Sequence, residues 1–146
     1  MGRVDDATLG NRWKRVFLLE VPICLATALF WLFAPFAALR SIHGLEHADA
    51  VHAGLLAQIA FVVLAMFVWF YARWLLGGPV ALRPFRYLQE GMCLSDALLI
   101  WLALASVENG SMLLGPAIGQ AGMAGLWLIV RVAFLVDTAR AEEPAA

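Results

Sequence analysis

Charge is scarce in this 146-residue chain, and so is every pattern that usually announces catalysis. Asp, Glu, Lys and Arg together make up 14% of it, with a formal net charge of −1. No basic run is long enough for a nucleic-acid footprint, so nucleic acid is set aside as a partner. The two cysteines, Cys24 and Cys93, form no Cys-x-x-Cys pair. Both fall inside apolar stretches and read as small buried hydrophobes rather than redox groups. A glycine-rich nucleotide loop, a nucleophile triad and a cofactor motif are all missing, which argues against ATP-driven transport within this chain and against a bound cofactor.

What fills the chain instead is apolar. Hydrophobic residues account for 63%, and mean hydropathy is +0.82. A soluble domain of 15.9 kDa cannot hide that much apolar surface from water, so the bilayer is the natural solvent. Four stretches, about residues 16–36, 53–75, 88–107 and 112–135, each reach the roughly 20 residues that a helix needs to cross the hydrocarbon. Lipid offers no partner to backbone N–H and C=O groups, so each span is expected to be helical. The expected fold is all-α: an antiparallel four-helix transmembrane bundle formed by residues 1–146 as one domain, without room for a soluble catalytic unit.

The first span is not read as a cleaved signal peptide. It exceeds the roughly 7–15 residues of a signal core, and aromatics crowd Phe30 to Phe36 where small residues would be cut. Orientation follows from basic residues. Arg3, Arg12, Lys14 and Arg15 lie in the head, Arg73 closes the second span, Arg83 and Arg86 follow it, and Arg140 is in the tail. The first connection has Arg40 alone and the third has none. The positive-inside rule therefore puts both termini and the second connection of a multi-pass membrane protein in the cytoplasm.

Turn chemistry marks the joints. Pro35 ends or bends the first span, and Gly77-Gly78-Pro79 stops the second. Pro22 removes a backbone donor inside the first span and is expected to kink it. Asn109-Gly110 is expected to make a tight turn between the third and fourth.

Chemistry, if present, must come from polar groups inside the spans, which are costly there and face the bundle interior. Glu20, Cys24 and Thr27 follow i, i+4, i+7 spacing, as do Gln89, Cys93 and Asp96, so each set shares a helical face. Gln58 comes from the second span. Gln120, Ala124, Trp127 and Arg131 form a stripe on the fourth. Counting about 1.5 Å per residue, Glu20 lies roughly 7 Å and Arg131 about 9 Å from the same boundary, and Asp96 about 13 Å deep. Arg131 is thus expected to meet Glu20, Asp96 or both.

Three readings of these groups are open. The first is an architectural clasp between helices. The second is a pocket in which Gln58, Gln89, Asp96, Gln120, Trp127 and Arg131 hold a lipophilic small molecule, with Trp31, Trp69 and Trp101 as further lining. The third is an acid–base site on a lipophilic substrate, with Asp96 and Glu20 as catalytic carboxyls and Arg131 fixing charge. Glu90 lies about 120° around the helix from Asp96 and is expected to face a neighbour or the headgroups.

His43-Gly-Leu-Glu-His47 spells a His-x-x-Glu-His string that can grip zinc when helical. With no surrounding soluble fold it reads as a solvated turn, and no metal is expected. Gly115-x-x-x-Gly119, with Gly122 and Gly125, permits close helix approach within the bundle or against another copy, so homo-oligomers or a larger membrane complex are both open.

The layout resembles that of the small four-span DoxX-like and BphX-like bacterial membrane proteins. The resemblance rests on Phe33-Ala-Pro-Phe36 closing the first span and on Tyr71-Ala-Arg-Trp74 ending the second. Tyr87-Leu-Gln-Glu-Gly-Met-Cys-Leu-Ser-Asp96 opens the third. It implies an inner-membrane bundle and carries no catalytic residue with it. The function expected is therefore an accessory subunit or a binder of a lipophilic ligand. The alternative is an intramembrane isomerase, cyclase or hydrolase.

Overall fold

The computed structural model describes residues 6–44, 47–78 and 81–142, and every regular element among them is a helix. The elements are α1 (Asp6–Phe17), α2 (Glu20–Phe33), α3 (Pro35–His43), α4 (His47–Leu76), α5 (Leu82–Glu108) and α6 (Leu114–Glu142). Three stretches are long and apolar enough to cross a membrane: Thr8–Phe33, Leu82–Glu108 and Leu114–Arg140. A fourth apolar segment, Phe61–Leu76, forms the second half of the 30-residue α4. Most of their large side chains point outward; Phe33, Trp69, Leu94, Trp101 and Ile129 are all exposed. Such a surface suits lipid and not water.

The breaks between helices have local causes. Proline at position 22 has no N–H for the Leu18 carbonyl, and its ring crowds that carbonyl. The helix accordingly breaks at Leu18–Leu19, and Leu19 N–H bonds back to Val16 O at 3.1 Å instead. The second break falls at Ala34 (φ −132°, ψ 49°), immediately before Pro35. A proline restricts the residue before it and suits the first turn of a helix. Pro35 therefore opens α3 as well as ending α2, and the first connection holds a nine-residue helix in place of a simple turn. Gly44, at φ 66°, caps α3 in the left-handed conformation that glycine adopts without cost. After α5, Asn109 Oδ1 accepts the Ser111 N–H at 3.0 Å and Gly110 takes φ 74°, making the tight turn into α6.

Hydrogen bonds define two ends. Trp13 Nε1 donates to Asp137 Oδ2 at 2.8 Å, and Lys14 Nζ to Gly78 O at 2.7 Å. These bring α1, the α4–α5 connection and the end of α6 together. At the opposite end Leu113 N–H donates to Ile42 O at 2.8 Å, and His43 Nδ1 pairs with Ser111 O. Between the ends, α5 packs along α6 and α2 along α4. Glu46, Pro79 and Arg3 lie outside the described residues, as do the side chains of His47, Asp49 and His52.

Candidate functional site

Four helices deliver side chains to one guanidinium. On α6 the buried residues Ala124, Trp127, Arg131, Phe134 and Thr138 recur at three- and four-residue steps, one stripe of a helix. The α5 stripe is Phe85, Gln89, Asp96 and Ala103. From α4 come Val68, Tyr71 and Leu75, and α2 opens with Glu20, itself buried. Where these stripes meet, Arg131 is wholly buried.

Arg131 Nε donates to Asp96 Oδ2 at 2.7 Å, Nη1 donates to Gln89 Oε1, and Nη2 donates to Glu20 Oε1. Gln89 then uses its amide to donate to Tyr71 Oη at 3.0 Å. The planar fork of an arginine suits such a junction, because its five donors leave in fixed directions and a lysine ammonium could not match them. Two stacked rings also lie beside the guanidinium. Its central carbon lies 5.5 Å from the Phe17 ring centroid and 6.0 Å from that of Trp127, within the range of a cation–π attraction.

Aromatic rings pack beside the cluster toward the end where α1 begins and α6 finishes. Phe17 meets Phe85 edge-on at 5.4 Å and Phe134 at 5.6 Å, Phe85 meets Phe134 at 5.2 Å, and Trp13 caps Phe134 at 5.6 Å. Edge-to-face rings favour such separations. Leu75 and Phe134 are fully buried there.

Electrostatically the cluster is one cation held by two acids. Two buried polar atoms find no hydrogen-bond partner among the described residues: Glu20 Oε2 and Trp127 Nε1. Buried ion pairs add little net stability over a well-packed apolar equivalent, yet removing one partner is severe because the other charge is stranded. The fork of Arg131 on α6 is filled from α2 and α5, and α4 joins through Tyr71 and Gln89.

The structure brings Glu20, Gln89, Asp96, Trp127 and Arg131 together and leaves two candidates outside. Gln58 donates to Leu32 O at 3.2 Å, tying α4 to α2. Gln120 is half-buried and stands about 16 Å before Arg131 along α6, beyond side-chain reach. Thr27, expected to face inward with Glu20, is exposed and bonds its own helix at Ile23 O, 2.9 Å away. The buried face of α2 runs through Ala28 and Trp31 instead. Glu90 is exposed and pairs with Arg86 at 3.1 Å. Trp31 is buried and stacks on Phe61, with centroids 4.9 Å apart, whereas Trp69 and Trp101 face outward. Cys24 and Cys93 are free and half-buried. Among the described residues no group of His, Cys, Asp and Glu is arranged to hold a metal ion.

Sequence reasoning missed Tyr71 and Phe17. Tyr71 sits five residues before the end of α4, about 8 Å deep, close to the depth of Arg131. That coincidence of depth was the available signal. Two open grooves lie elsewhere. One of about 350 Å³ is lined by Leu32, Val62, Ala65, Met66, Trp69 and Phe70, and one of about 430 Å³ by Trp69, Ala72, Arg73, Leu76 and Gly77. Neither is lined by a residue of the Arg131 cluster. Compared with protein-family models, curated proteins and solved structures, the chain matches none.

Proposed function

We propose that this chain is a non-catalytic, multi-pass protein of the bacterial inner membrane. In this reading α1–α2, α4, α5 and α6 form an antiparallel four-helix transmembrane bundle clasped by Arg131. Its role is that of an accessory subunit or a binder of a lipophilic molecule. The observation that carries the reading is how the polar groups around Arg131 are spent. Arg131, Gln89 and Asp96 are buried and spend their polar groups on one another, which suits a clasp better than an open catalytic pocket. Kinship with the DoxX-like and BphX-like proteins fits the same layout.

The membrane orientation is supported by where the charges fall. The end gathered by the Trp13–Asp137 and Lys14–Gly78 bonds carries Arg12, Lys14, Arg15, Arg73, Arg83, Arg86 and Arg140. The other end has Arg40 among the described residues. An excess of Lys and Arg marks the cytoplasmic side.

Two experiments test the proposal. With Cys24 and Cys93 replaced by Ala, an impermeant thiol reagent added outside intact cells should label Ser111→Cys and miss Arg83→Cys. The reverse pattern contradicts the topology. Mild-detergent extraction followed by native mass spectrometry should show the chain carrying a partner chain or a lipophilic guest. A bare monomer contradicts the subunit-or-binder role.

A further inference from the structure

The unpartnered atoms beside Arg131 form a complementary pair. Glu20 Oε2 is an acceptor on α2, and Trp127 Nε1–H is a donor on α6. Their side chains are 5% and 8% exposed, so bulk solvent does not serve them. Both flank the same guanidinium: Glu20 takes an N–H from it through Oε1, and the Trp127 ring lies 6.0 Å from its central carbon. A buried carboxylate oxygen or indole N–H without a partner loses its hydration and gains nothing in return, and native proteins rarely leave two such atoms at one site.

Among the described residues neither atom is paired. The Asp96 and Gln89 oxygens that face Arg131 accept its N–H groups, and Gln89 Nε2 is committed to Tyr71. A cation would serve Glu20 but not an indole N–H, and an anion would serve the indole but be repelled by Glu20 and Asp96. One small group has the chemistry both atoms need: a hydroxyl, which accepts one hydrogen bond and donates another.

We propose that a hydroxyl-bearing guest occupies the Arg131 cluster, accepting from Trp127 Nε1–H and donating to Glu20 Oε2. The hydroxyl is that of a buried water or of the head of a lipid-soluble alcohol. Buried waters serve polar groups of this kind in soluble proteins. The alcohol source rests on the binder reading above; the water source does not.

Ultraviolet resonance Raman of the detergent-purified full chain reads the hydrogen bonding of indole N–H groups. Subtracting the spectrum of Trp127→Phe isolates Trp127 from the other five tryptophans. A hydrogen-bonded indole is expected in the wild-type protein. Glu20→Gln, of nearly the same shape, should shift the same band, so the test does not depend on the folding of one variant. Adding 1-dodecanol to delipidated protein should raise its Tm above that with dodecane if the guest is an alcohol, and Trp127→Phe should abolish the increment. An equal Tm with both additives, with Trp127 still hydrogen-bonded, identifies the guest as water. A free Trp127 N–H with and without dodecanol overturns the proposal, whatever the mass spectrum shows of partners.

Discussion

The two ends of the molecule are held by different physics. At the end where α1 begins and α6 finishes, α2 and α5 send carboxylates and an amide to Arg131, Tyr71 of α4 joins through Gln89, and large aromatic rings pack beside them. At the other end the core is Trp31 stacked on Phe61 over Ala38 and Leu39. There the two helix pairs meet through the Leu113–Ile42 backbone bond and the His43–Ser111 contact. Directional side-chain bonds join the helices at the first end, while ring stacking and a main-chain bond join them at the second. In lipid, where burying apolar groups between helices gains little, this division matters, because packing and polar bonds carry most of the association.

The comparison breaks most sharply at Arg131. Replacing it with Leu should strand Glu20 and Asp96 and cost about 3–5 kcal/mol, measured by thermal or denaturant unfolding in detergent. A loss no larger than that of an ordinary surface substitution would place the stability of the bundle elsewhere. A smaller effect is expected at Gln58, whose amide makes a single bond to Leu32 O. Gln58→Leu should cost about 0.6 kcal/mol and no more than about 1.7. The smallest is expected at Thr27, which is exposed and satisfied within its own helix. Thr27→Val should leave stability within about 0.5 kcal/mol. A larger cost there would mean that this face of α2 is covered by a partner in the membrane.

Much of the first end was legible in the sequence. Charges inside apolar stretches are conspicuous, and i, i+4, i+7 spacing together with the rise per residue placed Glu20, Asp96 and Arg131 within reach of one another. Aromatics were harder. Phe17 and Tyr71 stand near the ends of their spans, where a ring anchoring the interface looks the same in sequence as one packed inside. Glutamines were harder too, because spacing along a helix gives the face and not the depth at which neighbours approach. Gln120 shares a stripe with Arg131 but sits too far along it. The other end was less legible because a proline read as a stop is equally a start. Pro35 opens α3, and no periodic signal in Phe36–His43 separates a short helix from an interfacial turn.

The central claim is that Arg131 clasps the bundle through its carboxylate partners. It is tested most directly by a double-mutant cycle between Arg131→Leu and Asp96→Asn, read as unfolding free energy in detergent and repeated with Glu20→Gln. Residues in one hydrogen-bonded network couple by about 0.5–3 kcal/mol. The clasp predicts coupling in that range in both cycles, with each double variant recovering part of the stability lost in Arg131→Leu. Additive effects in both cycles would contradict it.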